Sequence, residues 1–233
     1  MLSDRLRSFW RGPRPPSDHP TSAPHGGGVS RASARDDSEM QIESRQSRGL
    51  EQFFSSFRDQ AGLSILDLGG ARQENINFIT SLGHKFYSED FLRIFQETFG
   101  DDVADQSNPG RIDYFLRTSL DYADEQFDGL LAWDTLEYME PALLASTADK
   151  LFHILKPKGY LLAIFHSAER KNSAPCLSFR IQDPKTLQVG RQGERPASHQ
   201  LFNNRSLEKL FQKFESVKFF LTRDNLREVI VRR

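Results

Sequence analysis

Glycine and acidic residues that follow two short apolar segments have the chemistry to bind a nucleoside. Gly69 and Gly70 come directly after the apolar run 63–68, where glycine lets the backbone approach a ligand closely. Glu89 and Asp90 follow a second apolar segment, twenty residues beyond Gly69. A carboxylate at that spacing can accept hydrogen bonds from the hydroxyls of a ribose. Each feature also has a structural explanation, a tight turn or a charge at a helix N-terminus, and only their joint order points to a ligand.

Three polar residues near the ends of two later apolar segments are candidates for acid–base chemistry. Asp134 and Tyr138 follow the segment 127–133, and His166 ends the segment 160–166. Because imidazole titrates near neutral pH, His166 could deprotonate a hydroxyl or an amine. The alternatives are structural: a half-exposed histidine bonded to the backbone, a tyrosine in the core with its hydroxyl at the rim, and an aspartate that caps a helix.

The apolar periodicity predicts the strands and helices that would position these residues. Residues at helical spacing alternate with short apolar runs along the chain, which predicts a parallel sheet covered by helices. The last two runs are separated only by the turn 223–225, so they should pair antiparallel. The predicted fold is therefore α/β, a doubly wound, mostly parallel seven-stranded sheet with an antiparallel C-terminal hairpin. The predicted strands are 63–68, 84–88, 112–116, 127–133, 160–166, 217–221 and 229–231.

Ligands of an open α/β sheet bind beyond the carboxyl ends of its strands, where the strand order reverses. The two glycines, the two acids and the pair Trp133 and Asp134 each follow a predicted strand. We therefore expect them to converge on one nucleoside pocket, with Trp133 closing over the ligand and His166 at the mouth of the same cleft.

Three segments carry motifs in the order LDLGGARQENINFI, FDGLLAWDTLEYM and LFHILKPKGYLLAIF. The first two resemble the first motif and the motif after the fourth strand of class I S-adenosylmethionine-dependent methyltransferases. The third is similar to the helix, turn and fifth strand that follow in that family. The resemblance spans residues 48–233, is most specific over 127–165, and implies methyl transfer with S-adenosylmethionine as the cofactor.

Carried over by position, the resemblance implies roles for individual residues. Asp67 and Gly69 would hold the first turn of the cofactor loop, and Glu89 or, as the alternative, Asp90 would bind the ribose. Tyr138 stands where the family often has histidine. The residues implied in lining the cofactor are Asp67, Gly69, Gly70, Ala71, Glu89, Asp90, Ala132, Trp133 and Asp134.

The glycine motif is degenerate, because the family's Gly-x-Gly-x-Gly becomes Gly-Gly-Ala-Arg-Gln over 69–73 and only its first glycine keeps the register. Two functions are therefore considered. One is methyl transfer to a small-molecule acceptor, with Asp134, Tyr138 and His166 as catalytic candidates. The other is a catalytically inactive methyltransferase fold that serves as a binding or assembly module. A side chain of Gln73 or Trp133 that fills the cofactor hollow would favour the second.

Composition divides the chain near residue 45. Residues 11–45 hold almost no large apolar side chain and are rich in proline and glycine, so we predict that residues 1–45 are a disordered tail. The amphipathic tip 2–11 could contact a partner protein or an anionic membrane surface, could be frayed, or could belong to an organelle transit peptide. Residues 46–233 form the predicted domain, with 167–203 as a lid or an insertion.

The overall composition excludes several classes of function. Lys and Arg (31) balance Asp and Glu (32), and without a basic field we expect no nucleic-acid partner. A single cysteine, Cys176, leaves no disulfide and no thiolate zinc cluster, so we expect no metal and a reducing, cytoplasmic location. The apolar run 161–165 is far shorter than the roughly 20 residues of a membrane span.

Overall fold

The computed structural model of this protein describes residues 42–100, 103–167, 173–196, 200, 202–222 and 225–233. These residues belong to one compact unit, Glu39–Arg233. The predicted amphipathic tip, the predicted tail up to residue 41 and parts of the predicted lid lie outside the described residues.

Strands and helices alternate along most of the described chain. The strands are β1 (Ile42–Gln46), β2 (Ser64–Asp67), β3 (Lys85–Ser88), β4 (Phe127–Trp133), β5 (Leu155–His166), β6 (Ser173–Asp183), β7 (Thr186–Pro196), β8 (Ser216–Leu221) and β9 (Leu226–Arg232). The helices are α1 (Arg48–Ser55), α2 (Gln73–Ser81), α3 (Phe91–Phe99), α4 (Pro109–Ser119), α5 (Pro141–Ile154) and α6 (Asn204–Leu210). A short 3₁₀ helix, Ala104–Ser107, precedes α4, and a second one, Thr135–Tyr138, follows β4.

The central sheet holds six of these strands in the order β3-β2-β4-β5-β9-β8. Its first four strands run parallel, with Asp67 of β2 opposite Ser88 of β3 and Leu131 of β4. β5 pairs antiparallel with β9, and β9 pairs antiparallel with β8. The α/β class, the mostly parallel sheet and the C-terminal hairpin are therefore confirmed.

The prediction of a strand over 112–116 is wrong, because these residues lie inside α4. The side chain of Asn108 caps the helix, and Pro109 occupies its first turn, where a missing N–H group does no harm. Ile112 and Phe115 are buried three residues apart, so the short apolar stretch is the inner face of a helix. The prediction of seven strands is wrong for the part of the chain that the structure describes.

A second sheet has three antiparallel strands in the order β1-β7-β6. Its hairpin β6–β7 consists of residues that the sequence analysis assigns to a lid or an insertion. β1 pairs with β7 from Ile42 opposite Gly190 to Gln46 opposite Thr186. Residues 42–45 therefore belong to the folded unit and not to the predicted tail. Composition carries no sign of this pairing, because backbone hydrogen bonds hold a strand whose side chains are mostly exposed.

Hydrophobic cores lie on both faces of the central sheet, since successive side chains of a strand point to opposite faces. In β5, Leu161 and Ala163 belong to one core, and Leu162 and Ile164 belong to the other. Helices α3, α4, α5 and α6 contribute to the first core, whereas α1 and the hairpin β6–β7 contribute to the second. The two cores hold the carboxyl ends of β2, β4 and β5 in a fixed arrangement.

Candidate functional site

The turn after β2 and the turn after β3 are hydrogen-bonded to each other. The backbone N–H of Gly70 donates to the carbonyl of Glu89 at 3.0 Å, and the N–H of Glu89 donates to the carbonyl of Asp67 at 2.9 Å. Gly69 and Asp90 form a β-bridge beside these bonds. Gly70 has a φ of +84°, a left-handed conformation that glycine adopts at little cost. The structure thus brings the predicted cofactor turn next to both predicted ribose acids.

The two acids have different surroundings. Asp90 is exposed, and its side chain accepts a hydrogen bond from the backbone N–H of Arg93 as the N-cap of α3. Glu89 is half-buried, and its carboxylate accepts a hydrogen bond from the hydroxyl of Tyr122. Burial, aided by the bond to Glu89, raises the pKa of Tyr122 above its ordinary value, so the phenol stays protonated as a donor. Because Asp90 is engaged at a helix terminus, Glu89 is the better candidate for a ribose ligand.

Asp67, at the end of β2, is fully buried and accepts three hydrogen bonds. The donors are the backbone N–H of Gly69 at 2.8 Å, Nε1 of Trp133 at 2.6 Å and Nδ2 of Asn75 at 2.7 Å. Burial raises the pKa of Asp67 to about 6, although these donors oppose the shift. Asp67 therefore holds the turn, the end of β4 and the first part of α2 together.

Asn75 is a site residue that the sequence analysis does not single out. It is buried in the first part of α2, where its Nδ2 also donates to the carbonyl of Phe179 at 3.2 Å. Its Oδ1 accepts a hydrogen bond from the backbone N–H of Ile181 at 2.8 Å. The side chain thus joins Asp67 to β6. Its only sequence signal is a polar residue among the inward-facing positions of a helix, which periodicity alone does not distinguish from a solvent-facing one.

Trp133 ends β4 with a φ of +51°, in the left-handed region that a bulky residue rarely adopts. Its side chain is 1% exposed and stacks on Phe179, with the ring centroids 5.1 Å apart and an interplanar angle of 6°. The ring also covers the turn after β2, since a methyl group placed on Gly69 would lie 2.8 Å from Cδ1 of Trp133. The half-buried carboxylate of Glu89 fits the ribose of the expected cofactor. The methionine end of that cofactor does not fit between Gly69 and Trp133 in this conformation.

The other predicted cofactor residues border this packing without filling the turn. Gln73 is exposed, and its side-chain amide donates to Oδ1 of Asn77 on the same helix at 2.7 Å. Ala71 is exposed before α2, and Ala132 is fully buried in β4, where its carbonyl accepts a hydrogen bond from the hydroxyl of Thr135. It is Trp133, and not Gln73, that packs over the turn after β2.

The 3₁₀ helix after β4 holds Asp134 and Tyr138 together, and both side chains are buried. The hydroxyl of Tyr138 lies 2.9 Å from Oδ2 of Asp134 and 3.1 Å from the carbonyl oxygen of Pro175 in β6. Burial, reinforced by the negative charge of Asp134, raises the pKa of Tyr138 far above its ordinary value. The hydroxyl is therefore a donor that ties this helix to the hairpin, and it is not available as a base.

Glu137 is a second residue that the sequence analysis misses, although it lies inside the quoted motif FDGLLAWDTLEYM. Its Oε2 is 2.8 Å from Nδ1 of His166, and its Oε1 accepts a hydrogen bond from the backbone N–H of His166 at 3.0 Å. The side chains of Glu137 and His166 are 5% and 15% exposed. A buried carboxylate thus fixes the ring of His166 at the end of β5, next to the cluster of Asp134 and Tyr138.

Among the residues that the structure describes, no group of three or more His, Cys, Asp or Glu side chains is arranged to hold a metal ion. Within the same ranges, no helix combines the length and the apolar character needed to cross a lipid bilayer.

Comparison with known families defines the class of protein. Residues 34–215 match the profile of a methyltransferase domain, which is more than three quarters of the chain. The chain therefore belongs to the methyltransferase-domain family, and the resemblance to methyltransferases in its sequence is confirmed. No curated protein matches it significantly.

Three solved structures that resemble the chain are methyltransferases. One is the 1,6-didemethyltoxoflavin N1-methyltransferase of Burkholderia thailandensis, with bound 1,6-didemethyltoxoflavin and S-adenosylhomocysteine (13% identity, TM-score 0.41, 85% of this chain and 97% of that chain covered). The second is an S-adenosylmethionine-dependent methyltransferase of Archaeoglobus fulgidus (13%, 0.46, 79% and 91%). The third is an S-adenosylmethionine-dependent methyltransferase of Methanosarcina mazei (16%, 0.40, 77% and 96%). Similarity of this degree does not extend to substrates or site residues.

Proposed function

We propose that this protein uses S-adenosylmethionine to methylate a small-molecule acceptor. Its membership of the methyltransferase-domain family supports the reaction class. The observation that carries the proposal is the hydrogen-bonded pair of turns after β2 and β3, which holds Gly69 and Gly70 beside Glu89. In an open α/β sheet this edge is where ligands bind, and a carboxylate in this position can accept both hydroxyls of a ribose.

His166 is the proposed base. Bound S-adenosylmethionine supplies an electrophilic methyl group, so a base is required only when the acceptor must lose a proton. Because the carboxylate of Glu137 faces Nδ1 of His166 at 2.8 Å, the ring proton belongs on Nδ1 and the lone pair on Nε2. Nε2 would then take a proton from a hydroxyl or an amine of the acceptor, and Glu137 would stabilise the resulting imidazolium.

Asp134 and Tyr138 are proposed to shape the acceptor side of the site. Their hydrogen bond, and the contact of Tyr138 with the carbonyl of Pro175, join the end of β4 to the hairpin β6–β7. Buried contacts of this kind exclude water and hold an acceptor in position, and positioning and desolvation provide most of the rate of such a reaction. The proposed roles of these two residues are therefore structural support of the acceptor site, without proton transfer.

The proposed acceptor is a small molecule that carries a hydroxyl or an amine. The balanced charges of the chain give no support to a nucleic-acid acceptor. The proposed location is the cytoplasm, because the single cysteine suits a reducing compartment.

A thermal melt with S-adenosylhomocysteine, the demethylated product of the cofactor, tests the proposal. A ligand that binds only the folded chain stabilises it by about 2.7 kcal/mol at a hundred times its Kd. We expect Glu89→Gln to remove most of the shift in Tm, since an amide is a weaker acceptor for two hydroxyls than a carboxylate. Asp90→Asn should keep the shift, because asparagine also caps a helix. Equal shifts in the two variants would exclude Glu89 as the ribose ligand.

An inactive methyltransferase fold that binds or assembles with a partner is the second candidate function. The packing of Trp133 over Gly69 favours it, because that packing leaves no space for a methyl group at the turn. If neither the wild-type chain nor Trp133→Ser shifts in Tm at millimolar S-adenosylhomocysteine, this second candidate replaces the first.

A further inference from the structure

The indole of Trp133 packs over Gly69, at the turn where the resemblance to methyltransferases implies the cofactor. A methyl group on Gly69 would be 2.8 Å from Cδ1 and 3.1 Å from Nε1 of the indole. A layer of ligand between two surfaces needs two contact distances of roughly 3.5 Å each, about 7 Å in all. The turn after β2 and the residues after β4 are the two walls of the expected site, so in this structure one wall closes on the other.

The indole also takes the hydrogen-bond acceptor that the turn offers. Nε1–H of Trp133 donates to Oδ1 of the fully buried Asp67 at 2.6 Å. The three donors around Asp67 are all neutral, and a buried carboxylate is better compensated by a charged donor. The methionine end of S-adenosylmethionine carries an ammonium group, which is such a donor. The ring of Trp133 therefore occupies both the volume and the polar partner that this end of the cofactor requires.

The backbone of Trp133 is held in an unfavourable conformation. Its φ of +51° brings the Cβ atom close to the carbonyl oxygen, a conformation that side-chain-bearing residues avoid. Its backbone pairs with Ala163 of β5, and its side chain is held by the stacking on Phe179 and the bond to Asp67. A side chain on a strained backbone can move to another position when a ligand replaces the contacts of that side chain.

The backbone that carries the partner of the stack is bonded to Asn75. The carbonyl of Phe179 accepts a hydrogen bond from Asn75, and the N–H of Ile181 donates to the same side chain at 2.8 Å. Asn75 is itself buried against Asp67. These bonds hold the backbone of β6 at the place where the ring of Phe179 projects.

We propose that Trp133 is an internal competitor of the cofactor, and that it is the residue that sets the affinity of the site for S-adenosylmethionine. Its indole occupies the methionine end of the site and swings out, with Phe179 remaining in place, when the cofactor binds. The inference rests on the proposed function and specifies how the site admits its ligand.

Calorimetric titration with S-adenosylhomocysteine tests the competition. Trp133→Ser should bind the ligand at least tenfold more tightly than the wild-type chain, because no ring has to be displaced. Phe179→Leu removes the stacking and keeps an apolar side chain, so its affinity should lie between the two. Trp10→Phe, a change of the other tryptophan of the chain, is the matched control and should leave the affinity unchanged.

Tryptophan fluorescence of the folded Trp10→Phe chain provides a second readout that does not depend on altering Trp133. The emission of Trp133 should shift to longer wavelength at saturating S-adenosylhomocysteine, because the indole leaves its buried position. Equal affinities of the wild-type chain and Trp133→Ser, or an unchanged emission with ligand bound, would overturn the inference and leave the proposed function in place. Absence of binding by both chains would overturn the inference and the proposed function together.

Discussion

Two buried carboxylates in this domain differ in the donors around them, and the donors indicate their roles. Glu228 is paired with Arg45 at 2.6 Å and with the backbone N–H of Gly49 at 2.7 Å. Its charge is therefore compensated by the guanidinium of an arginine. Glu137 faces the imidazole of His166 instead, with Oε2 at 2.8 Å from Nδ1. The first acid joins parts of the fold, whereas the second has the surroundings of a residue that orients a base.

Replacing Glu137 with leucine should release the imidazole of His166. The variant removes the acceptor for Nδ1 and for the backbone N–H, so the free energy of unfolding should fall by about 1–3 kcal/mol. ¹⁵N NMR of the ring should show the proton on Nδ1 in the wild-type chain and no fixed tautomer in the variant. Glu97→Gln, a change in an exposed side chain of α3, should alter neither measurement.

A tautomer that is the same in the wild-type chain and in Glu137→Leu would contradict the orienting role of Glu137. Once an acceptor is known, the loss of this orientation should lower turnover by roughly 10²–10⁴, the usual contribution of a positioned base. Binding of S-adenosylhomocysteine should remain unchanged, because Glu137 lies at the acceptor side of the proposed site.

Among the larger elements, the hairpin β6–β7 is joined to the end of β2 by a side chain of α2. α2 contributes Asn75, whose side chain bonds two backbone groups of β6 and the carboxylate at the end of β2. Buried polar groups that lose such partners are costly, because water cannot replace the bonds. The amide side chain of Asn75 is therefore one of the contacts that set the position of the proposed acceptor wall.

Asn75→Ala should lower the free energy of unfolding by about 2–4 kcal/mol and loosen the hairpin. The change leaves the N–H of Ile181 and the carbonyl of Phe179 without this partner. Denaturant unfolding measures the first effect, and faster hydrogen exchange at Ile181 measures the second. Asn77→Ala on the exposed face of the same helix is the matched control and should cost less than about 0.5 kcal/mol. Similar losses in both variants would mean that the buried amide is not the anchor.

The contact of α1 with the sheet leaves no room for a side chain at Gly49. A Cβ atom there would lie 2.9 Å from Cβ of Glu228 and 3.0 Å from Cδ1 of Leu162. Gly49→Ala should therefore lower the free energy of unfolding by about 1–3 kcal/mol. Gly110→Ala at the start of α4 meets only Asn108 at 3.4 Å, so it should be neutral or stabilise by up to about 1 kcal/mol. Thermal melts of the two variants compare them directly, and a neutral Gly49→Ala would show that α1 can move away from β9.

For the molecule as a whole, the charge state of Asp67 couples the site to global stability. Burial raises the pKa of Asp67 from 3.8 to about 6 in the folded chain. The folded state therefore binds more protons than the unfolded state between these two values, and stability falls as the pH rises through this window. The stabilisation is fully present below about pH 4 and is lost above about pH 6.

Asp67→Asn should remove this dependence on pH. A shift of about two pKa units corresponds to about 3 kcal/mol. The quantity to compare is the free energy of unfolding of the wild-type chain minus that of the variant. This difference should decrease by up to about 3 kcal/mol between pH 4 and 7. Urea unfolding at several pH values measures the difference. Asp183→Asn is the control of opposite sign, since the backbone N–H of Lys185 lowers the pKa of Asp183. A difference for Asp67 that is flat or rises with pH would contradict the burial argument.

Local patterns in the sequence were sufficient to predict the α/β class and the C-terminal hairpin. β4 begins and ends at the predicted residues, and the C-terminal hairpin follows from two apolar runs with a short turn between them. The prediction of a strand over 112–116 is wrong because a five-residue apolar stretch is too short to distinguish a strand from the inner face of a helix. In the structure, the side chain of Asn108 caps a helix that contains these residues. The sequence analysis misses β1 for another reason, because β7, with which β1 pairs, lies about 140 residues further along the chain.

The sequence by itself determined which side chains stand at the carboxyl edge of the sheet, because strand ends follow from the spacing of apolar residues along a short segment. Only the tertiary structure decided what those side chains do there. The bonds from Trp133 to Asp67 and from Asn75 to β6 join residues 66 and 104 positions apart. Whether such groups meet depends on how two cores stack against one sheet, and a local pattern holds no information about that distance.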